Sequence, residues 1–158
     1  MIIIESNDVS SSVVNTLPDV WCVIPHFGDD KLLERCHESL QAVNYPEELF
    51  GDDRIVVVNN NPPNENLLFT AAVNKGILHV QRERRRLGHS NRCLIWVLNN
   101  DTVVEPDCVR EAARCFVETG WDRTGIVGPR NVLLTSPDQI IWGGSKDIFP
   151  SGVHKTGS

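Results

Sequence analysis

The sequence lacks a long hydrophobic run, an excess of basic charge, a paired-cysteine motif and a glycine-rich phosphate loop. Without an apolar stretch of about 20 residues no membrane-spanning helix is expected, and Met1 to Glu5 is too short for a signal-peptide core. Any work at a membrane would be done from its surface. A formal net charge of −6 argues against a nucleic-acid binder that neutralises phosphates. The cysteines (Cys22, Cys36, Cys93, Cys108 and Cys115) are odd in number and form no C-x-x-C pair. That disfavours a disulfide framework or a structural zinc site and points to a reducing cytosol. No G-x-G-x-x-G follows the first apolar run, which weakens a dinucleotide-binding reading. The missing G-x-x-x-x-G-K-[ST] excludes a P-loop.

What is present suits one globular domain. With 158 residues, 41% hydrophobic and 23% charged, the chain can bury a sizeable core but not two comfortable ones. Residues 1–18 read as a flexible leader ending at Pro18. Val20 to Ile24 reads as a buried strand stopped by Pro25. Asp29 or Asp30 then caps a helix with Leu32, Leu33, Cys36, Leu40 and Val43 on one face. Arg54 to Val58 is a second buried strand, β-branched throughout, that runs into an asparagine- and proline-rich turn. A helix from about Leu67 to Arg86 follows, although Gly76 in its interior costs about 1 kcal/mol against Ala. Leu94 to Leu98 is the third strand. Pro106 opens a helix that buries Val109, Ala112, Ala113, Phe116 and Val117 and stops at Gly120. Gly125 to Val127 is a short strand, and the tail from Ile140 is glycine-rich with one more. Strands alternating with helices imply a mostly parallel sheet with right-handed crossovers.

Ligands of open α/β sheets bind beyond the carboxyl ends of the strands. Three such ends matter here: Pro25-His26-Phe27, Asn59-Asn60-Asn61 and Asn99-Asn100-Asp101. Together they offer an aromatic wall, carboxamides and one carboxylate. That set suits a nucleotide with a metal-bridged diphosphate, because Mg²⁺ and Mn²⁺ favour oxygen ligands shared with substrate phosphates. Asn and Asp are also ordinary turn residues, so each strand end alone has a plain alternative.

The order Trp-Cys-Val-Ile-Pro, Ile-Val-Val-Val-Asn-Asn, Asn66-x-x-Phe69-x-Ala71-Ala72-x-Asn74-x-Gly76-Ile77 and Trp-Val-Leu-Asn-Asn-Asp-Thr-Val-Val-Glu-Pro resembles the family 2 glycosyltransferases, nearest their rhamnosyltransferase-like branch. Gly125 to Pro129 and Ile141-Trp142-Gly143-Gly144 resemble the segments that follow, so the likeness spans about residues 20–157. It implies a three-layer, Rossmann-like GT-A domain that ends before most of the acceptor half, truncated at its C-terminus. It also implies a UDP-, GDP- or dTDP-sugar donor, a divalent metal (Mn²⁺ or Mg²⁺) and inverting transfer to a glycan or lipid-linked hydroxyl in polysaccharide biosynthesis. Carried over by position, Pro25, His26 and Phe27 flank the base, and Asn59 and Asn60 read base or ribose. Asn66 and Asn74 lie beside the donor, Asn99 opens the metal motif and Asp101 binds the metal. Trp142 offers a ring for stacking on sugar.

Departures accompany the likeness. Asn59 and Asn64 replace acidic positions, Leu68 replaces the usual glycine after Asn66, and no strand is expected between Val58 and Asn66. No carboxylate stands in the context of the family's catalytic base, so the catalytic residue is unknown. The rival is a donor-binding remnant or nucleotide-sugar-binding module without turnover. A homo-oligomer that covers an unfinished acceptor face is a third reading. The expected location is cytoplasmic, peripheral at the inner face of the membrane, with no membrane span and no nucleic-acid partner. Several residues carry plainer roles. His26 could equally be a polar cap, His89 belongs to a helix stop, the Arg82–Arg86 cluster is a solvated helix end, and Trp21, Trp96 and Trp121 pack.

Overall fold

The computed structural model describes residues 2–5, 17–89, 92–142, 145–148 and 154–156, with backbone alone at 2–5, 142, 145–148 and 154–156. The chain divides into two compact units, Met1–Val127 and Gly128–Ser158.

The first unit is α/β. Strand β2 (Asp19–His26) pairs in parallel with β3 (Ile55–Asn59) on one side and β4 (Cys93–Val97) on the other. Helices α1 (Asp30–Gln41), α2 (Leu68–Arg86) and α3 (Cys108–Thr119) fill the connections and the segment after β4. Residues Ile2–Glu5 form β1, antiparallel to β4, and β5 (Ile126–Val127) pairs antiparallel to β1 on its far side. The sheet order is therefore β3-β2-β4-β1-β5. Pairing on both sides removes β4 from the sheet edge, where its N–H and C=O groups would lack partners.

Alternation along the strands distributes two cores. Val20, Cys22, Ile24, Leu94, Trp96 and Leu98 pack with Cys36 and Leu40 of α1 and with Val109, Ala113 and Phe116 of α3. Trp21, Val23, Cys93 and Ile95 face the other way, onto Val80 and Ile77 of α2. Helices thus cover both faces of the parallel strands, and Trp21 and Trp96 are packing residues as expected. Gly76 is where α2 meets the sheet. A Cβ there would run into Val23 Cγ1 and stand 3.3 Å from Val23 Cγ2 and Val58 Cγ2.

Three local expectations need correction. Pro25 does not end β2, which continues to His26. The backbone of Val23 faces β4, accepting from Leu98 N, and that of His26 faces β3, accepting from Asn60 N. By alternation the proline nitrogen lies on the β4 side, past the last β4 pair at Val23↔Val97, so no ladder bond is lost. Strand β3 is not buried throughout: it is an edge strand with Val57 38% exposed, and Arg54 belongs to the 3-10 turn before it. In the basic cluster at the end of α2, Arg84 is buried rather than solvated. The helix stop at His89 holds, with His89 N donating to Arg84 O at 3.0 Å. Its ring also lies 3.3 Å from the buried Asp19 carboxylate.

The second unit has more strand than its glycine-rich sequence suggests. Strands β6 (Asn131–Leu133) and β7 (Ser136–Trp142) form one antiparallel pair, and β8 (Ser145–Ile148) and β9 (His154–Thr156) form another. Among the described residues no helix is long and apolar enough to cross a membrane.

Candidate functional site

Because β2, β3 and β4 are parallel, their carboxyl ends share one edge of the sheet. The chain leaves β2 toward the α1 face and β3 toward the α2 face. The three expected segments meet at this edge, and one side chain joins them. The His26 ring is 0% exposed. Its Nε2 is 2.8 Å from Asp30 Oδ1 and 3.1 Å from Asn61 Nδ2, and its Nδ1 is 2.9 Å from Asn100 Nδ2. A carboxylate at that distance calls for a hydrogen on Nε2 and leaves Nδ1 to accept from the Asn100 amide.

Asn61 is held as firmly. Its Oδ1 accepts from Gly28 N at 2.8 Å while its Nδ2 donates to Gly28 O at 3.0 Å and to Asp30 Oδ1 at 3.3 Å. Gly28 turns both peptide groups toward Asn61 at φ 101°, in the left-handed region that favours glycine. Asn100 Nδ2 also reaches Phe27 O at 3.3 Å, tying the β4 loop to the β2 loop a second time. The Phe27 ring itself is exposed, and Pro25 is buried within β2.

On the β3 side, Asn59 Oδ1 accepts from Asn61 N at 2.8 Å, and the buried Asn60 Oδ1 accepts from Leu67 N at 3.3 Å. Asn66 Oδ1 accepts from Leu68 N at 3.0 Å. The bonds from Leu67 N and Leu68 N supply acceptors to backbone N–H groups at the start of α2 that have no intrahelical partner. Asn74 is exposed about two turns into α2. Leu68 begins that helix at φ 59°, with its side chain pointing into solvent.

On the β4 side, Asn99 and Asp101 are exposed and Asn100 is half-buried. The turn is closed by Thr102 N donating to Asn99 O at 3.3 Å, and the Cys36 thiol lies 3.7 Å from the same oxygen. Burial, and after it the Asp101 carboxylate, pushes the Cys36 thiol up to about 11. Among the described residues, no group of three or more His, Cys, Asp or Glu side chains could hold a metal. A cation at Asp101 would therefore share its shell with substrate oxygens and water. That is the usual habit of Mg²⁺, and the oxygen-only donors of this turn fit it.

The expected site residues separate accordingly. Phe27, Asn59, Asn99 and Asp101 present exposed groups, whereas His26 and Asn60 act from beneath. His26 has both ring nitrogens occupied and no exposed surface, so it supports the edge instead of lining a base pocket. Trp142 ends β7 in the second unit, and its side chain lies outside the described residues, as do Gly143 and Gly144. From sequence Asp30 is only a candidate helix cap, and Asn61 and Asn100 are only members of strand-end runs, without a role of their own. The signals were a further asparagine in the runs after β3 and β4 and an acidic residue four places after His26. Compared with protein-family models, with curated proteins and with solved structures, the chain matches none.

Proposed function

We propose that this chain is a family 2-like glycosyltransferase that binds a nucleotide-sugar at the carboxyl edge of β2, β3 and β4, with Asp101 sharing a divalent cation with the donor diphosphate. One observation carries the reading. The three strand-end segments are cross-linked around His26, while the Asp101 carboxylate stands exposed at the rim with no hydrogen bond or ion pair to the described residues. A second supports the motif assignment: Leu68 occupies the place where the likeness puts glycine, and its φ of 59° is a glycine-favouring value. Bound there, a divalent cation supplies Lewis-acid stabilisation of the leaving diphosphate. The chain's own residues orient the donor: the Phe27 ring offers a face for the base, and the Asn59 and Asn99 carboxamides offer hydrogen bonds. Inverting transfer to a hydroxyl of a glycan or lipid-linked acceptor is the reaction. No residue is assigned as its base, and a donor-binding module without turnover is the second reading, favoured by carboxamides standing where carboxylates are usual.

The test is thermal shift against UDP-, GDP- and dTDP-sugars with Mn²⁺, Mg²⁺ or chelator. A donor at 100 times its dissociation constant should add about 2.7 kcal/mol. The expected result is a shift that needs metal and disappears in Asp101→Ala. An equal shift in that variant would remove the metal assignment, and steady turnover by the chain alone would remove the second reading.

A further inference from the structure

We infer that His26 is the positioning residue of this edge. Its imidazole has a separate job on each nitrogen, one arm setting the Asp101 turn and the other setting the Asp30–Asn61 side. The Nδ1 arm holds Asn100, the neighbour of Asp101, at 2.9 Å. The Nε2 arm holds Asp30 at 2.8 Å and abuts Asn61 at 3.1 Å. The ring is fully buried while Asp30 is 76% exposed, so the histidine is the fixed member and the loops are what it fixes. Its own backbone is anchored in the same sense, since His26 O accepts from Asn60 N at 2.8 Å. A group tied to three separate loops from within the core makes them one cradle, and such support commonly decides whether a surface site is pre-formed. Its bearing on metal and nucleotide rests on the donor-binding reading above, whereas its grip on Asp30 and Asn100 stands without it.

Two isosteric substitutions divide the arms. In His26→Asn an amide oxygen replaces Nδ1 and can still accept from Asn100, but the Asp30 arm is gone. In His26→Gln an amide nitrogen replaces Nε2 and can still donate to Asp30, but the Asn100 arm is gone. The first readout is ¹⁵N NMR of the full chain. Wild type should show Nε2 protonated and Nδ1 as an acceptor, with slowed exchange of the Asn61 and Asn100 side-chain amides. The Asn100 amide should lose protection in His26→Gln alone. A wild-type ring with the hydrogen on Nδ1 overturns the assignment, even if neither variant folds. So does an Asn100 amide unchanged in a folded His26→Gln.

The second readout is Mn²⁺ binding by electron paramagnetic resonance, with UDP, GDP or dTDP present. His26→Gln should weaken binding about five- to tenfold and His26→Asn much less, as the loss of one buried hydrogen bond predicts. If Asp101→Ala abolishes binding while His26→Gln keeps the wild-type affinity, the positioning role falls and the donor-binding reading survives. If Asp101→Ala changes nothing, the metal reading falls and the NMR arm decides His26 by itself.

Discussion

Replacing Gly76 by alanine sets helix propensity against packing, and the structure says which prevails. In an exposed helix interior the change should stabilise by about 1 kcal/mol. Here the new methyl group would run into Val23 Cγ1 and stand 3.3 Å from both Val23 Cγ2 and Val58 Cγ2. Val23 is fully buried in β2, and a β-branched side chain there has little freedom to turn away. Overpacking of this kind typically costs about 1–3 kcal/mol, so the net expectation is a loss of about 0–2 kcal/mol. In a domain of this size each kcal/mol shifts the melting midpoint by about 2–4 °C. The assay is urea unfolding followed by circular dichroism, with an unchanged slope and a lowered midpoint. In a Val23→Ala background the same change should be neutral or stabilising, because the colliding methyl groups are gone. A raised midpoint for Gly76→Ala alone would refute the close approach of α2 to the sheet.

Two further predictions rest on equally local features. Leu68 sits at φ 59° with 71% of its surface exposed, so Leu68→Gly should relieve strain at little packing cost. A gain of about 1 kcal/mol is expected in chemical denaturation, and a loss would contradict that backbone geometry. The cysteines should divide by burial: Cys115 is labelled in the native chain, while Cys22, Cys36 and Cys93 react only on unfolding. Burial also raises the Cys36 thiol from 9.0 to about 11 and lifts Cys22 well above 9.0. Above pH 9 the unfolded chain sheds these protons while the native chain keeps them, so stability should fall as pH rises from about 9 toward 11. Urea midpoints at about pH 7.5 and about pH 10 should differ, and by less in Cys36→Ala; equal midpoints in wild type would sink the prediction.

Much of the fold was legible because strong local signals agreed. The apolar runs at Val20 and Leu94, the Asp29 cap of α1, whose carboxylate accepts from Lys31 N at 3.0 Å, and the stop at Gly120 all stand where periodicity and capping chemistry put them. The strand ends were legible for the same reason, since an apolar run that breaks into asparagine has few other meanings. What was not legible lies in pairing. Nothing local in Ile2–Glu5 says that it enters the sheet between β4 and β5, and nothing local in Arg54-Ile55-Val56-Val57-Val58 says that it is an edge. Both are decided by which strands find partners, a property of the assembled sheet.

The division for the site follows the same physics. By itself the sequence determined an α/β alternation, three polar strand ends and a single carboxylate at Asp101 after the third. Only the tertiary structure decided that these ends meet around His26, a residue 35 positions from Asn61 and 74 from Asn100. Only it decided that this histidine is enclosed while Asp30 and Asp101 face solvent. A side chain's chemistry is written in its identity. Its partners and its access to water depend on contacts between segments far apart in the chain, and those exist only once the sheet has formed.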